Sequence, residues 1–462
     1  MSPFGTAVRP GGIRETLKVA GPLALALAAS AVNGIVDTVF LGHSSDAELA
    51  ALLPAFMLST LVVAFFSGTV GYTTVFVAQL HGGGRGREAV RYFAQGLWLA
   101  LAAVPVLLAM IPVAFAVVDV TGCDAAIRAA EKSYLLVQAP AGVFTIANAV
   151  LGGIITGQGR TVRVSLCTVA GCLVNMAIDP VLIFGYFGLP ALGITGASIA
   201  TATGFATTTA LLAIVVLRDP LVRESVGTGA FRPDLRAMAR IVRTGVPNGL
   251  TAFFSTLAYT GFTMMLTRLD PLSCAASNVV FRVNNLFYLL LCATSDGTQI
   301  LIGRHHGAGD DGVAERSYRT GLVVVVAALL LCFGLVFAFL DPVMDCFRGA
   351  DSAFDPAVWR RTGLVLFAIM FVREIAEGVM CLTVGALRAV GDTRFVMLVQ
   401  SGVELVLWMP AYLAVGYGID AAAHPAAALL GLWFTLPFSM GLIALVLYWR
   451  WRRGAWRGTR LA

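Results

Sequence analysis

The chain has 462 residues, of which 58% are hydrophobic and only 13% charged, with a mean hydropathy of +0.84. This balance lies outside the range of soluble globular domains and implies an integral membrane protein. The net charge of +6 does not point to nucleic acid, because the arginines gather at the ends of apolar runs, where they set orientation.

In chain order, the apolar runs between breakers predict twelve spans: 15–42, 50–80, 89–118, 130–157, 161–187, 192–217, 238–267, 273–303, 315–340, 361–387, 393–417 and 424–449. Each holds about 20 residues or more, as a bilayer-crossing helix requires, which excludes the ten-residue alternating strands of a membrane barrel. The first run follows Arg9, Arg14 and Lys18 and is too long for a signal-peptide core, so it reads as a retained span. With the N-terminus in the cytoplasm, the even-numbered loops carry Arg85, Arg87, Arg91, Arg160, Arg163, Arg218, Arg223, Arg232 and Arg236, among others. The opposite loops carry Arg128, Lys132, Arg268, Arg348, Arg360 and Arg361, with the acids Asp46, Asp341, Asp345 and Asp351. The excess of basic residues places both termini in the cytoplasm, including the basic tail. The eight cysteines, at 123, 167, 172, 274, 292, 332, 346 and 381, form no CxxC pair and indicate neither a disulfide framework nor a metal site.

Sliding the sequence on itself by 225 residues lays "TTVFVAQLHGGGRGREAVRYFAQGL" (73–97) on "TQILIGRHHGAGDDGVAERSYRTGL" (298–322) and Pro22 on Pro247. With a small gap, "GQGRT" (157–161) also falls on "AVGDT" (389–393). Two six-span halves of the same orientation follow, the parallel type of transporter repeat. The halves are an N-terminal lobe at 1–217 and a C-terminal lobe at 238–449, joined by a polar cytoplasmic linker at 218–237 and followed by the tail at 450–462.

The Pro-then-Asp first span ending "DTVFLG", the span-two ending "VAQLHGGGRGREA", its copy "IGRHHGAGDDGVAE", "GQGRT" and "NMAIDPVLIFG" together resemble the multidrug and toxic compound extrusion (MATE) transporters, most closely the DinF-like branch. The resemblance implies an all-α integral membrane protein with twelve transmembrane helices in two pseudo-symmetric six-helix lobes. It further implies a monomeric efflux pump of the plasma membrane, in contact with lipid and not with nucleic acid. Such a pump needs no cofactor and exchanges cationic or amphipathic compounds for H+ or Na+. A lipid-linked precursor flippase of the same superfamily is the alternative.

Acids inside a bilayer cost at least ~2.5 kcal/mol on insertion scales and are functional candidates by default. Asp37 lies six residues, about 9 Å, from the outer end of span one, and Asp179 nine residues, roughly 13 Å, from that of span five. Asn33 and Asn175 precede them by one turn, and i,i+4 spacing puts each pair on one helix face. Oxygen ligands from two helices suit a monovalent cation; equally, two neighbouring acids can share a proton. Structural readings stand beside these, with Asp37 near an interface and Asp179 capping a bend before Pro180. The resemblance implies a cation site, possible for Na+, at Asp37, Asn175, Asp179 and a span-six threonine, which "GASIAT" matches as Thr201, with Thr195 and Thr203 as alternatives. Pro22 weakens span one locally and is expected to act as a hinge, bending the helix as Asp37 changes charge.

The second half lacks this pattern, since Asp37 maps to Phe262 and Asp179 to Met409, so cation coupling is expected to be asymmetric. Its own candidates are Arg282, Asp296, Arg373, Glu374, Glu377 and Glu404. Arg373 and Glu377, spaced i,i+4, are expected to neutralise one another, with Glu374 facing elsewhere, Glu404 unpaired, and Arg282 and Arg373 as buried cations. The clusters "HGGG" and "HGAG" lack a preceding strand and a P-loop Lys, and read as helix-end turns. No catalytic motif of an embedded enzyme is present.

Overall fold

The computed structural model describes residues 9–120, 124–347, 354–420, 423–457 and 461. Cys123, Arg348, Asp351 and the side chain of Asp46 lie outside what is described. The described residues form helices and turns without strands. In chain order the helices are α1 (Ile13–Gly42), α2 (Asp46–Gly71), α3 (Thr73–Gly82), α4 (Gly86–Val120), α5 (Ala125–Gly157), α6 (Thr161–Phe184), α7 (Gly193–Leu217), α8 (Pro220–Ser225), α9 (Leu235–Leu266), α10 (Pro271–Gly307), α11 (Asp311–Ala338), α12 (Leu340–Phe347), α13 (Pro356–Ala389), α14 (Thr393–Gly402), α15 (Met409–Gly418) and α16 (Pro425–Arg452).

Ten segments among them are long and apolar enough to cross a membrane. The helices α9 and α13, with 32 and 34 residues, are long enough as well but less apolar, α9 through its Thr, Ser, Asn and Gly residues and α13 through its charges. With α2–α3 and α14–α15 each counted as one interrupted span, the twelve expected spans are all present among the described residues. Asp124 and Asp355 cap α5 and α13, accepting from the amides of Ala126 at 3.0 Å and Ala357 at 2.7 Å, so these helices begin at 125 and 356 rather than at 130 and 361. Between α14 and α15 the backbone widens into a π turn, Val403–Trp408. Pro410 is the cause we assign, since it lacks an amide proton and crowds the carbonyl of Val406 four residues back. Two short helices escape the hydropathy reading: α8 in the linker and the amphipathic α12 after α11.

Contacts divide the chain into two units. Unit one takes the described residues up to Ala20, Phe254–Ile302 and those from Asp311 to 457; its core is built around Trp359, Trp433, Tyr318, Tyr412, Phe333 and Phe367. Unit two takes Gly21–Phe253, Gly303–Asp310 and Leu461, with one core around Phe76, Phe93, Ile146 and Val150 and a smaller one around Leu41, Tyr134, Ile183 and Ile194.

The repeat reappears as matched local geometry. In unit two Gly96 packs on Thr73, where an added Cβ would meet Thr73 Cγ2 at 2.8 Å; in unit one Gly321 packs on Thr298, at 2.6 Å from its Oγ1. Each partner lies 225 residues from its counterpart. Gly84 and Gly309 both adopt left-handed φ, +74° and +84°, closing the same helix-end turn in each copy, which glycine alone does at no steric cost.

Candidate functional site

Two polar stripes with the same spacing face each other in unit two. Ser30, Asn33 and Asp37 lie along one face of α1, and Cys172, Asn175 and Asp179 along one face of α6. Ser30 Oγ contacts Cys172 Sγ at 3.9 Å at one end, and the Asp37 and Asp179 carboxyl groups meet at the other. Two ionised carboxylates have no proton between them, so this last contact is a hydrogen bond only when one of the pair is protonated.

Asp179 is completely buried and Asn175 is 2% exposed, whereas Asn33 and Asp37 on α1 are half-buried. Asn175 Nδ2 donates to Thr201 Oγ1 on α7 at 3.2 Å. Thr203 instead donates to the Ile199 carbonyl, so of the three threonines weighed from sequence Thr201 is the one joined to Asn175. Apart from the carboxyl–carboxyl contact, Asn33 Oδ1, Asp37 Oδ1, Asn175 Oδ1 and both Asp179 oxygens are buried without a hydrogen-bond donor. Buried acceptors left unpaired cost ~1–3 kcal/mol each, and hard oxygens converging from two helices are what a proton or a small cation satisfies. Because α6 ends at Phe184 rather than 187, Asp179 lies five residues from its outer end, the same number as Asp37 from the end of α1. Both acids are therefore about 8 Å from their helix ends, which corrects the deeper placement of Asp179.

Sequence reasoning missed Tyr134. Its ring is buried within electrostatic range of both acids, and its carbonyl accepts from Ser198 Oγ at 3.1 Å, tying α5 to α7 beside the site. Only the crossing of α5 behind α1 and α6 brings it there. Pro22 interrupts nothing visible, since α1 runs unbroken from Ile13 to Gly42, and from Gly21 to Phe40 it buries no residue fully.

In unit one the positions matching the acid pair are apolar. Phe262, fully buried, stacks on Trp408 at 5.5 Å and meets Tyr412 edge-on at 5.8 Å. The charged candidates of that unit gather elsewhere. Arg373, 4% exposed, pairs with Glu377 at 2.5 Å and also with Glu374, and its Nη1 reaches Met370 Sδ at 3.4 Å. Glu374 therefore does not face elsewhere: the long guanidinium turns back far enough to meet its immediate neighbour as well as the residue one turn on, and Asn284 approaches Glu374 from α10. Nor is Glu404 unpaired, since in the π turn it accepts from Ser255 Oγ at 2.7 Å and Gln400 Nε2 at 3.2 Å. Arg282 is exposed, not a buried cation, because its position on α10 turns it away from the core of its own unit. Asp296 is also exposed and feels the Arg388 charge.

The MatE family profile matches this chain twice, over residues 22–181 and 247–413. The chain belongs to the MATE family. The two matches begin at Pro22 and Pro247, the pair that the internal repeat superposes. Two MATE relatives cover the chain nearly end to end. A probable multidrug resistance protein NorM from Deinococcus radiodurans is 28% identical over 97% of both chains, and the multidrug resistance protein MdtK from Cronobacter sakazakii is 25% identical over 95% of both. Among solved structures, a MATE crystallised with the ligand MaL6 superposes with a TM-score of 0.84 at 18% identity, covering 97% of each chain. A superfamily transporter from Pyrococcus furiosus superposes with 0.83 over the same coverage. These likenesses carry the fold, and they do not single out the DinF-like branch. The MATE protein described here is thus a multi-pass membrane transporter and not an enzyme.

Proposed function

We propose that this MATE transporter is a cation-coupled antiporter that exports cationic or amphipathic organic compounds, drugs or a natural product, by alternating access. The observation that carries the proposal is the meeting of Asp37 and Asp179 among buried oxygens that lack donors. Asn33, Asp37, Asn175, Asp179 and Thr201 form the coupling site, which takes up either H+ or Na+. The names of the NorM and MdtK relatives, both multidrug resistance proteins, support the substrate class. The transporter works as a monomer in the plasma membrane with both termini in the cytoplasm, and its lobes are 1–217 and 238–449, joined by the linker 218–237 and ending in the tail 450–462.

The mechanism follows from charge. With the site empty, two acids sit in an environment that disfavours both charges, and α1, which buries no residue fully between Gly21 and Phe40, is the element free to respond. A cation arriving from outside neutralises the pair and draws α1 toward α6, bending it at Pro22 and narrowing the space in which a compound binds. Exchange needs no direct contact between cation and compound, only that they favour different states of one equilibrium. Solved MATE structures have been described in both a straight and a bent conformation, which supports a two-state reading of the fold. Unit one, with Phe262 and Met409 at the matching positions, does not duplicate the site; Arg373, Glu374, Glu377, Glu404, Asp296 and Arg282 instead set its polarity toward substrate.

The test is efflux of ethidium from everted vesicles under imposed proton or sodium gradients. We expect one of the two gradients to drive efflux and Asp37→Asn to abolish it. Efflux by the variant at the wild-type rate would sink the coupling role, and accumulation of a lipid-linked precursor on deletion, with no drug phenotype, would favour the flippase.

A further inference from the structure

The linker between α8 and α9 is held against α4 by side-chain hydrogen bonds and by the Arg91–Asp234 ion pair. The Trp98 indole donates to the Phe231 carbonyl at 3.0 Å. Gln95, fully buried, donates to the Arg232 carbonyl at 3.0 Å and accepts from the Asp234 amide at 2.8 Å. The result is a preformed groove of about 700 Å³.

Charge in this groove is unbalanced. Glu88 is bound to Arg85 at 2.5 Å and Asp234 is paired with Arg91, so both carboxylates that line it are already occupied. Arg87, Arg232 and Arg236 also line it, are exposed, and have no acidic partner among the described residues. Three unpaired guanidiniums around one recess match the oxygens of a phosphate, which arginine binds in a planar, bidentate manner.

Depth indicates the source of that phosphate. Trp98 is 40% exposed and Leu101, one turn further along α4, is 60% exposed, the pattern of a helix leaving the headgroup layer for the acyl core. Gln95 precedes Trp98 by three residues, about 4.5 Å along the axis, within the ~5–8 Å that headgroups occupy on each side of a bilayer. Phe231 and Leu235, 36% and 78% exposed, flank the arginines with apolar surface suited to the same boundary.

We infer that the groove formed by α4 and the linker binds the phosphate headgroup of an anionic phospholipid, with Arg232 and Arg236 as its principal ligands and Arg87 as a third. This site is separate from the acid pair and does not depend on the coupling ion or on the direction of insertion.

The experiment titrates the purified transporter in neutral detergent with short-chain phosphatidylglycerol, reading bound lipid by native mass spectrometry and the shift in thermal unfolding. We expect saturable binding that the Arg232→Gln/Arg236→Gln double variant weakens about 30-fold, on the basis of about fivefold per arginine near an anionic headgroup. Arg163→Gln/Arg218→Gln, which removes two exposed arginines of unit two that do not line the groove, keeps wild-type binding. Three results would each overturn the proposal: no saturable binding, equal loss in the two double variants, or the same unfolding shift with inorganic phosphate as with the lipid.

Discussion

Asp37 on α1 and Asp179 on α6 bring their carboxyl groups together, each as the last member of a polar stripe with the same spacing. Neutralising either by Asn removes a charge that the surroundings penalise, so thermal stability in detergent should stay at or above wild type while gradient-driven efflux falls at least tenfold. A variant that is both inactive and markedly less stable would assign these acids to structure instead.

Asn175 and Thr201 join α6 to α7 beside the acids. Thr201→Val should raise the half-saturating concentration of the coupling cation about fivefold, the equivalent of ~1 kcal/mol for one net hydrogen bond. Thr203→Val should leave it unchanged, because that hydroxyl bonds only within its own helix. Cation-dependent efflux in reconstituted vesicles measures both.

The Arg373 cluster predicts a different pattern. Arg373→Met strands two buried carboxylates and should destabilise the protein by ~3–5 kcal/mol, read as loss of yield and a lower Tm. Combining it with Glu374→Gln and Glu377→Gln removes the uncompensated charge, and most of the stability should return. If the single and triple variants melt alike, the three residues do not act as a unit.

Gly82 and Gly307 superpose under the 225-residue repeat, and their contacts are reciprocal: a Cβ on Gly82 would lie 2.0 Å from the Arg304 carbonyl oxygen, and one on Gly307 2.0 Å from that of Gln79. Backbone cannot give way as a side-chain tip does, so Gly82→Ala and Gly307→Ala should each lower stability by ~1–3 kcal/mol and to a similar extent. Gly334→Ala, with nothing within 4 Å, should leave Tm unchanged or slightly raised.

Pro22→Ala should leave α1 helical and the compound bound, since α1 already runs unbroken through the proline. It restores an amide able to bond Lys18, stiffening the helix, and should slow efflux severalfold at unchanged substrate affinity. Dye binding and efflux measured on the same preparation separate the two.

Much of this protein is determined by sequence alone. Twelve apolar runs specify twelve helical spans, because backbone polar groups in a bilayer must be satisfied within each segment. A repeat of 225 residues specifies the duplicated fold, down to the left-handed glycines at 84 and 309. The intramembrane acids stand out by their cost, and the i,i+4 spacing that puts Asn33 beside Asp37 and Asn175 beside Asp179 on one face of each helix was legible as well. Tertiary structure alone decided which stripe faces which, that Thr201 and Tyr134 join them, that Arg373 holds two glutamates, and that Ser255 reaches Glu404. Helical periodicity assigns a residue to a face of its own helix, whereas the partner of that face depends on which helices cross and at what depth, and no local pattern encodes that.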